Sequence, residues 1–140
     1  MNLSPHFAAS EFGVTASTPE SAVLALTSLC VAVLEPIRAH FGPVSIHSGW
    51  RSPEANAAAH GASHSQHLSG QAADAAFPGH SIEEVATWIK AAALPIDQMI
   101  LETRAGKLPY TWLHVSHKDI GNRGQYLCSL DGKTYAGWKP

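Results

Sequence analysis

Residues 72–77 read Ala-Ala-Asp-Ala-Ala-Phe, a short apolar run closed by Pro78-Gly79 and interrupted by one carboxylate. Such a run reads as a strand, and alternation places Ala72, Asp74 and Ala76 on one face and Ala73, Ala75 and Phe77 on the other. A charged Asp74 in that setting needs a partner, because an unpaired buried carboxylate is costly. A metal ion is one such partner, and the small neighbouring residues leave room for close approach. The chain also carries nine histidines in 140 residues. Neutral imidazole is a common transition-metal ligand and a proton carrier near neutral pH.

A second segment, Trp112-Leu113-His114-Val115-Ser116-His117, alternates in the same way. With Leu113 and Val115 on a core, His114 turns to the opposite groove side, and His117 turns away from it. His67 lies in a small, polar stretch, Ala62 to Gly70, that has the composition of a loop. Two imidazoles and one carboxylate, with a fourth position left for water, is the usual form of a catalytic zinc site. Taken singly, a His or Asp in a strand is more often a hydrogen-bonded structural residue.

The surrounding pattern predicts an α+β fold, with helices packed against a small, mostly antiparallel sheet. Residues from Ser4 to Ser17 read as a short arm with Phe7 and Phe12 as anchors. Thr18 is expected to cap a helix, with Pro19 in its first turn. Val23, Leu26, Cys30, Val33 and Ile37 form one apolar face, and Pro36 is expected to kink or split the helix. Val44 to Ser48 alternates like a strand, Ser52-Pro53-Glu54 starts a second helix, and Ser81 caps a third. Asp97–Glu102 and Trp112–His117 read as strands, and Gln125–Leu130 with Lys133–Trp138 as a closing hairpin across Asp131-Gly132.

Composition narrows the function further. At 45% hydrophobic the chain can bury a core, and 140 residues suit one domain. Nine basic against eleven acidic residues, net charge -2, lacks the basic excess of a nucleic-acid binder. Cys30 and Cys128 are too few for a disulfide scaffold or a cysteine zinc site and read as reduced thiols. The Met1–His6 opening does not read as a signal peptide, and the apolar Val23–Leu34 stretch, broken by Thr27 and Ser28, reads as a core helix rather than a membrane span. The expectation is a monomer made in the cytoplasm, with neither nucleic-acid nor membrane partners.

Three groups of residues acquire meaning together: Ser48-Gly49-Trp50-Arg51-Ser52-Pro53, then Ser65-Gln66-His67 through Gly70 to Asp74, then Trp112-Leu113-His114-Val115-Ser116. In combination they resemble the zinc peptidases grouped with D-Ala-D-Ala carboxypeptidases. That group includes phage L-alanyl-D-glutamate endopeptidases and shares its fold with the hedgehog signalling domain. The resemblance runs from Leu3–Phe7 to the Asn122-Arg123 region and is closest to short, single-domain members of phages and prophages. It implies one zinc peptidase domain over residues 1–140, with His67, Asp74 and His114 as the zinc ligands. It implies that Arg51 holds a substrate carboxylate or carbonyl, a role suited to the planar donor fork of arginine. Outside that motif Arg51 reads as an exposed loop cation. The implied substrate is the peptide stem of bacterial peptidoglycan, cut as a carboxypeptidase or as an endopeptidase, with phage lysis or release with a particle as routes to the wall.

The general base departs from the pattern of several relatives, which place an acid three positions before the last His ligand. Here that position is Thr111. Glu102 is the best replacement, since Gln98, Ile100 and Glu102 share a strand face; its plain alternative is a strand-end carboxylate in solvent. His64 and His117 are alternative proton carriers, His47 a weaker one, and His6, His40, His60 and His80 read as surface residues. Trp50, Tyr110 and Trp112 are candidates to wall the cleft, and Gln66 and Ser69 to support the ligands. No Gly-x-Ser-x-Gly elbow accompanies Ser65 or Ser116. The rival reading is a non-catalytic metal-binding module, a wall-binding or phage structural domain, favoured by the missing acid at Thr111.

Overall fold

The computed structural model describes all of residues 1–140. The chain is α+β, as its pattern predicts. The first residues form a hairpin of β1 (Asn2–Ser4) and β2 (Phe7–Ala8), followed by a 3-10 turn over Ala9–Phe12. The expected arm is therefore structured. Phe7 and Phe12 are buried and pack edge to face, their ring centroids 6.1 Å apart.

The first long helical segment starts at Glu20 and comprises α1 (Glu20–Leu29), a π-helical turn (Cys30–Leu34) and α2 (Glu35–Phe41). Pro36 lacks an N–H, and its ring crowds the carbonyl four residues back. The widened turn just before it absorbs that conflict without breaking the rod. Thr18 does not cap this helix; Pro19 precedes its first residue, and the Thr18 hydroxyl accepts from the Thr15 N–H at 2.8 Å. Residues Glu20–Phe41 are long and apolar enough to cross a membrane. One side of them, Leu26, Leu29, Cys30, Val33, Leu34 and Ile37, is instead fully buried in the core.

The remaining helices are short. Ser52 accepts from the Ala55 N–H at 3.1 Å to open α3 (Pro53–Ala58), and Ser81 accepts from the Glu84 N–H at 3.1 Å to open α4 (Ile82–Ala91). The main sheet comprises β3 (Ser45–Ser48), β4 (Ala72–Ala76), β5 (Gln98–Glu102), β6 (Trp112–Ser116), β7 (Gln125–Ser129) and β8 (Ala136–Gly137). Their spatial order is β3–β4–β6–β5–β7–β8; only the β5–β7 pair is parallel.

Alternation divides this sheet into two faces. Ala73 and Ala75, Leu113 and Val115, and Met99 and Leu101 join the helices in one apolar core. Intervening residues face away from it. In register across three strands, Asp74 lies opposite His114, and His114 opposite Ile100. Antiparallel sheets commonly leave one face open in this way.

Candidate metal centre and cleft

Asp74, at the centre of β4, is 8% exposed. Its Oδ1 lies 3.0 Å from His114 Nδ1 and its Oδ2 lies 3.4 Å from His67 Nε2. The β4–β6 register delivers His114; a loop delivers His67. That loop is pinned where the Arg51 N–H donates to the His67 carbonyl at 3.0 Å, and Gly70, at φ +75°, packs against Ala22. His67 Nδ1 lies 2.7 Å from the Gly49 carbonyl, so this nitrogen carries a proton, and Nε2 is the ring nitrogen left to face Asp74.

One ligand atom from each of His67, Asp74 and His114 lies within 4.8 Å of the other two. Two acceptors this close repel unless a proton or a cation stands between them. A mixed nitrogen and oxygen donor set of three, open to a cleft, fits a divalent transition metal with a position left over. Burial works against ionisation of Asp74, but hydrogen bonds and charge from His114 and His67 outweigh it and hold its carboxyl well below the usual range. Asp74 is thus ready as an anionic ligand.

The centre opens into a cavity of about 750 Å³. Arg51 lines it, with Nη2 3.3 Å from Asp74 Oδ2 and Nε donating to Ser48 Oγ at 3.0 Å, so it is held in the site and is not a free loop cation. Glu102 lines it as well and is 8% exposed, unlike a carboxylate in solvent. Its Oε2 accepts from Trp112 Nε1 at 2.9 Å. Burial pushes the Glu102 carboxyl above the usual glutamate range; His114 pulls it down and the Asp74 charge raises it again. Thr111 is exposed and donates its N–H to the Glu102 carbonyl; the acid that lines the cavity here is Glu102, on the adjoining strand.

Other candidates separate clearly. His64 and His60 lie on the cavity wall, both exposed. His117 does not line it; Nδ1 accepts or donates nothing there and instead bonds the Pro95 carbonyl at 2.7 Å. Trp112 walls the cavity, whereas Trp50 and Tyr110 pack against the core. Gln66 Nε2 bonds Asp97, and Ser69 bonds Gln66 and Gln71, so neither supports a ligand side chain directly. Arg104, Arg123 and Tyr135 also line the cavity. Arg104 follows β5 and Arg123 precedes β7, so the pairing of those strands and the Asp97 carboxylate bring the two arginines in.

An α+β sheet with a histidine–carboxylate cluster on its open face is suited to hold a divalent metal ion. Residues 5–105 match the model of the family described as Peptidase M15. The chain belongs to that family and is a metallopeptidase. The matched residues include Arg51, His67, Asp74 and Glu102, while His114 lies beyond them. No curated protein matches the chain.

Proposed function

We propose that this metallopeptidase is zinc-dependent and hydrolyses amide bonds in peptidoglycan stem peptides, as a D-Ala-D-Ala carboxypeptidase or an endopeptidase. His67, Asp74 and His114 hold the ion. A bound zinc supplies Lewis-acid polarisation of a carbonyl and acidification of water. Glu102 Oε1, free of hydrogen bonds, takes a proton from the attacking water and returns it to the leaving amine. A carboxyl raised by burial suits both halves of that transfer. The Trp112 indole holds Oε2 and so fixes which oxygen faces the substrate. Arg51 donates to a substrate carbonyl or carboxylate oxygen and stabilises negative charge there.

Support comes foremost from Glu102, itself buried, sharing one cavity with the three ligands; a module that only binds metal has no use for it. The resemblance to wall peptidases supports the substrate, and release of the protein to the wall, as in phage lysis, follows from it. The test is mass analysis of fragments from purified peptidoglycan, digested with wild type, with wild type plus chelator, and with Glu102→Gln. New amino or carboxyl termini are expected with wild type alone. Glu102→Gln is expected to retain zinc and lose at least about a hundredfold in rate. Retained hydrolysis by that variant removes Glu102 from the reaction, and intact stems with wild type remove the substrate.

A further inference from the structure

The ligands and Glu102 occupy the middle of the cavity and leave its ends unexplained. Its floor is β5, whose groove-facing residues are Gln98, Ile100 and Glu102. Ile100 lies opposite His114, so the cluster stands over the midpoint. At about 3.3 Å per residue, Gln98 and Glu102 are about 13 Å apart.

A guanidinium stands at each end. At the Gln98 end, Arg123 is anchored on Asp97, the residue just before the strand. Asp97 is fully buried; its Oδ1 accepts from Arg123 Nε at 3.1 Å and its Oδ2 from Nη2 at 2.9 Å. The Arg123 side chain is still 52% exposed, and its remaining nitrogen, Nη1, is uncommitted. Gln66 Nε2 bonds the same Asp97 carboxylate at 2.9 Å, which ties this end to the His67 loop. At the Glu102 end, Arg104 makes no ion pair and no side-chain hydrogen bond. It lies against Gly132, where a side-chain carbon would come within 3.0 Å of Arg104 Nε. Three arginines thus line the cavity: Arg51 faces Asp74, Arg123 is paired with Asp97 and keeps Nη1 free, and Arg104 has no ion-pair partner. Such a cleft favours an anionic occupant, and an extended peptide covers its floor with about four residues.

We propose that Arg123 and Arg104 form two anion subsites flanking the metal centre, and that the substrate is an acidic peptide with a carboxylate on each side of the amide that is cut. This rests on the peptidase reading above. The Asp97 carboxylate fixes the Arg123 fork, and the absence of a side chain at Gly132 leaves Arg104 its place.

The test uses a synthetic stem peptide with free carboxylates on its D-glutamate and at its C-terminus, and two analogues with one or the other as carboxamide. With wild type, each amidation is expected to raise KM about tenfold. Arg123→Gln is expected to be insensitive to one amidation and Arg104→Gln to the other. Equal KM for all three peptides with wild type overturns the proposal, and so does a uniform loss on all three in both variants. The same peptides are titrated by calorimetry onto the full chain carrying Glu102→Gln. Discrimination there, without hydrolysis by wild type, upholds the subsites and overturns the peptidase reading. Hydrolysis of all three alike does the reverse.

Discussion

Asparagine at position 97 keeps the shape of the side chain but puts an NH2 where Asp97 only accepts. Four donors converge on that carboxylate: the Arg123 N–H at 2.9 Å, Arg123 Nε and Nη2, and Gln66 Nε2. Burial opposes its charge, but the bonds from Arg123 and Gln66 outweigh burial and bring the pKa from 3.8 to about 2. That depression corresponds to about 2 kcal/mol of stability. Because the folded value is the lower one, the contribution is complete above the unfolded value of 3.8 and is lost as pH falls toward 2. Removing one side of a wholly buried pair costs about 3–5 kcal/mol. Arg123 is half exposed and regains water, so the cost falls below that range, to the size of the pKa depression. Asp97→Asn is therefore expected to lose about 2 kcal/mol in urea unfolding at pH 7. The gap from wild type should close between pH 4 and pH 2. A gap under about 0.5 kcal/mol at pH 7, or one of full size at pH 2, refutes the reasoning.

Removing a ligand with His114→Ala should abolish stoichiometric zinc by equilibrium dialysis, and hydrolysis with it; unchanged zinc content contradicts the centre described above. Gly70→Ala places a carbon 2.3 Å from the Ala22 carbonyl oxygen at φ +75°, and is expected to cost at least about 2 kcal/mol in thermal unfolding. Trp112→Phe removes the donor to Glu102 Oε2 and should lower kcat about five- to tenfold with zinc content unchanged, since that bond is worth about 1 kcal/mol. An unaltered kcat would show that the indole does not position the carboxylate.

Much of the cluster was legible because strand alternation is local. The odd carboxylate in Ala72–Phe77 and the Leu113–His114–Val115 triplet each assign a face without knowledge of neighbouring strands, and β4–β6 pairing then joins them. Glu102 was half legible: its face followed from β5, but its burial depends on Trp112 and on the cavity walls, which no short stretch encodes. Arg104 and Arg123 were invisible as site residues. Their places depend on the parallel β5–β7 pair and on Asp97, contacts between segments far apart in the chain. The helix start shifted past Thr18 because Thr15 claims that hydroxyl first, a competition between local hydrogen bonds that propensity does not rank. The π turn was foreshadowed by Pro36 as a kink, but the form of the adjustment depended on how the rod packs.

The 3-10 turn that follows the opening hairpin has a bearing on the metal centre that its distance in sequence conceals. Phe12 receives the Trp50 N–H on its carbonyl at 2.9 Å, and Gly49 fits so closely against its side chain that even a methyl group would collide at 2.6 Å. The Gly49 oxygen is the atom that sets the His67 tautomer. A segment with no reactive group of its own therefore works as a keystone: loosening Phe12 would free an imidazole to spin and tautomerise, and affinity for the ion would become a property of the amino-terminal dozen residues.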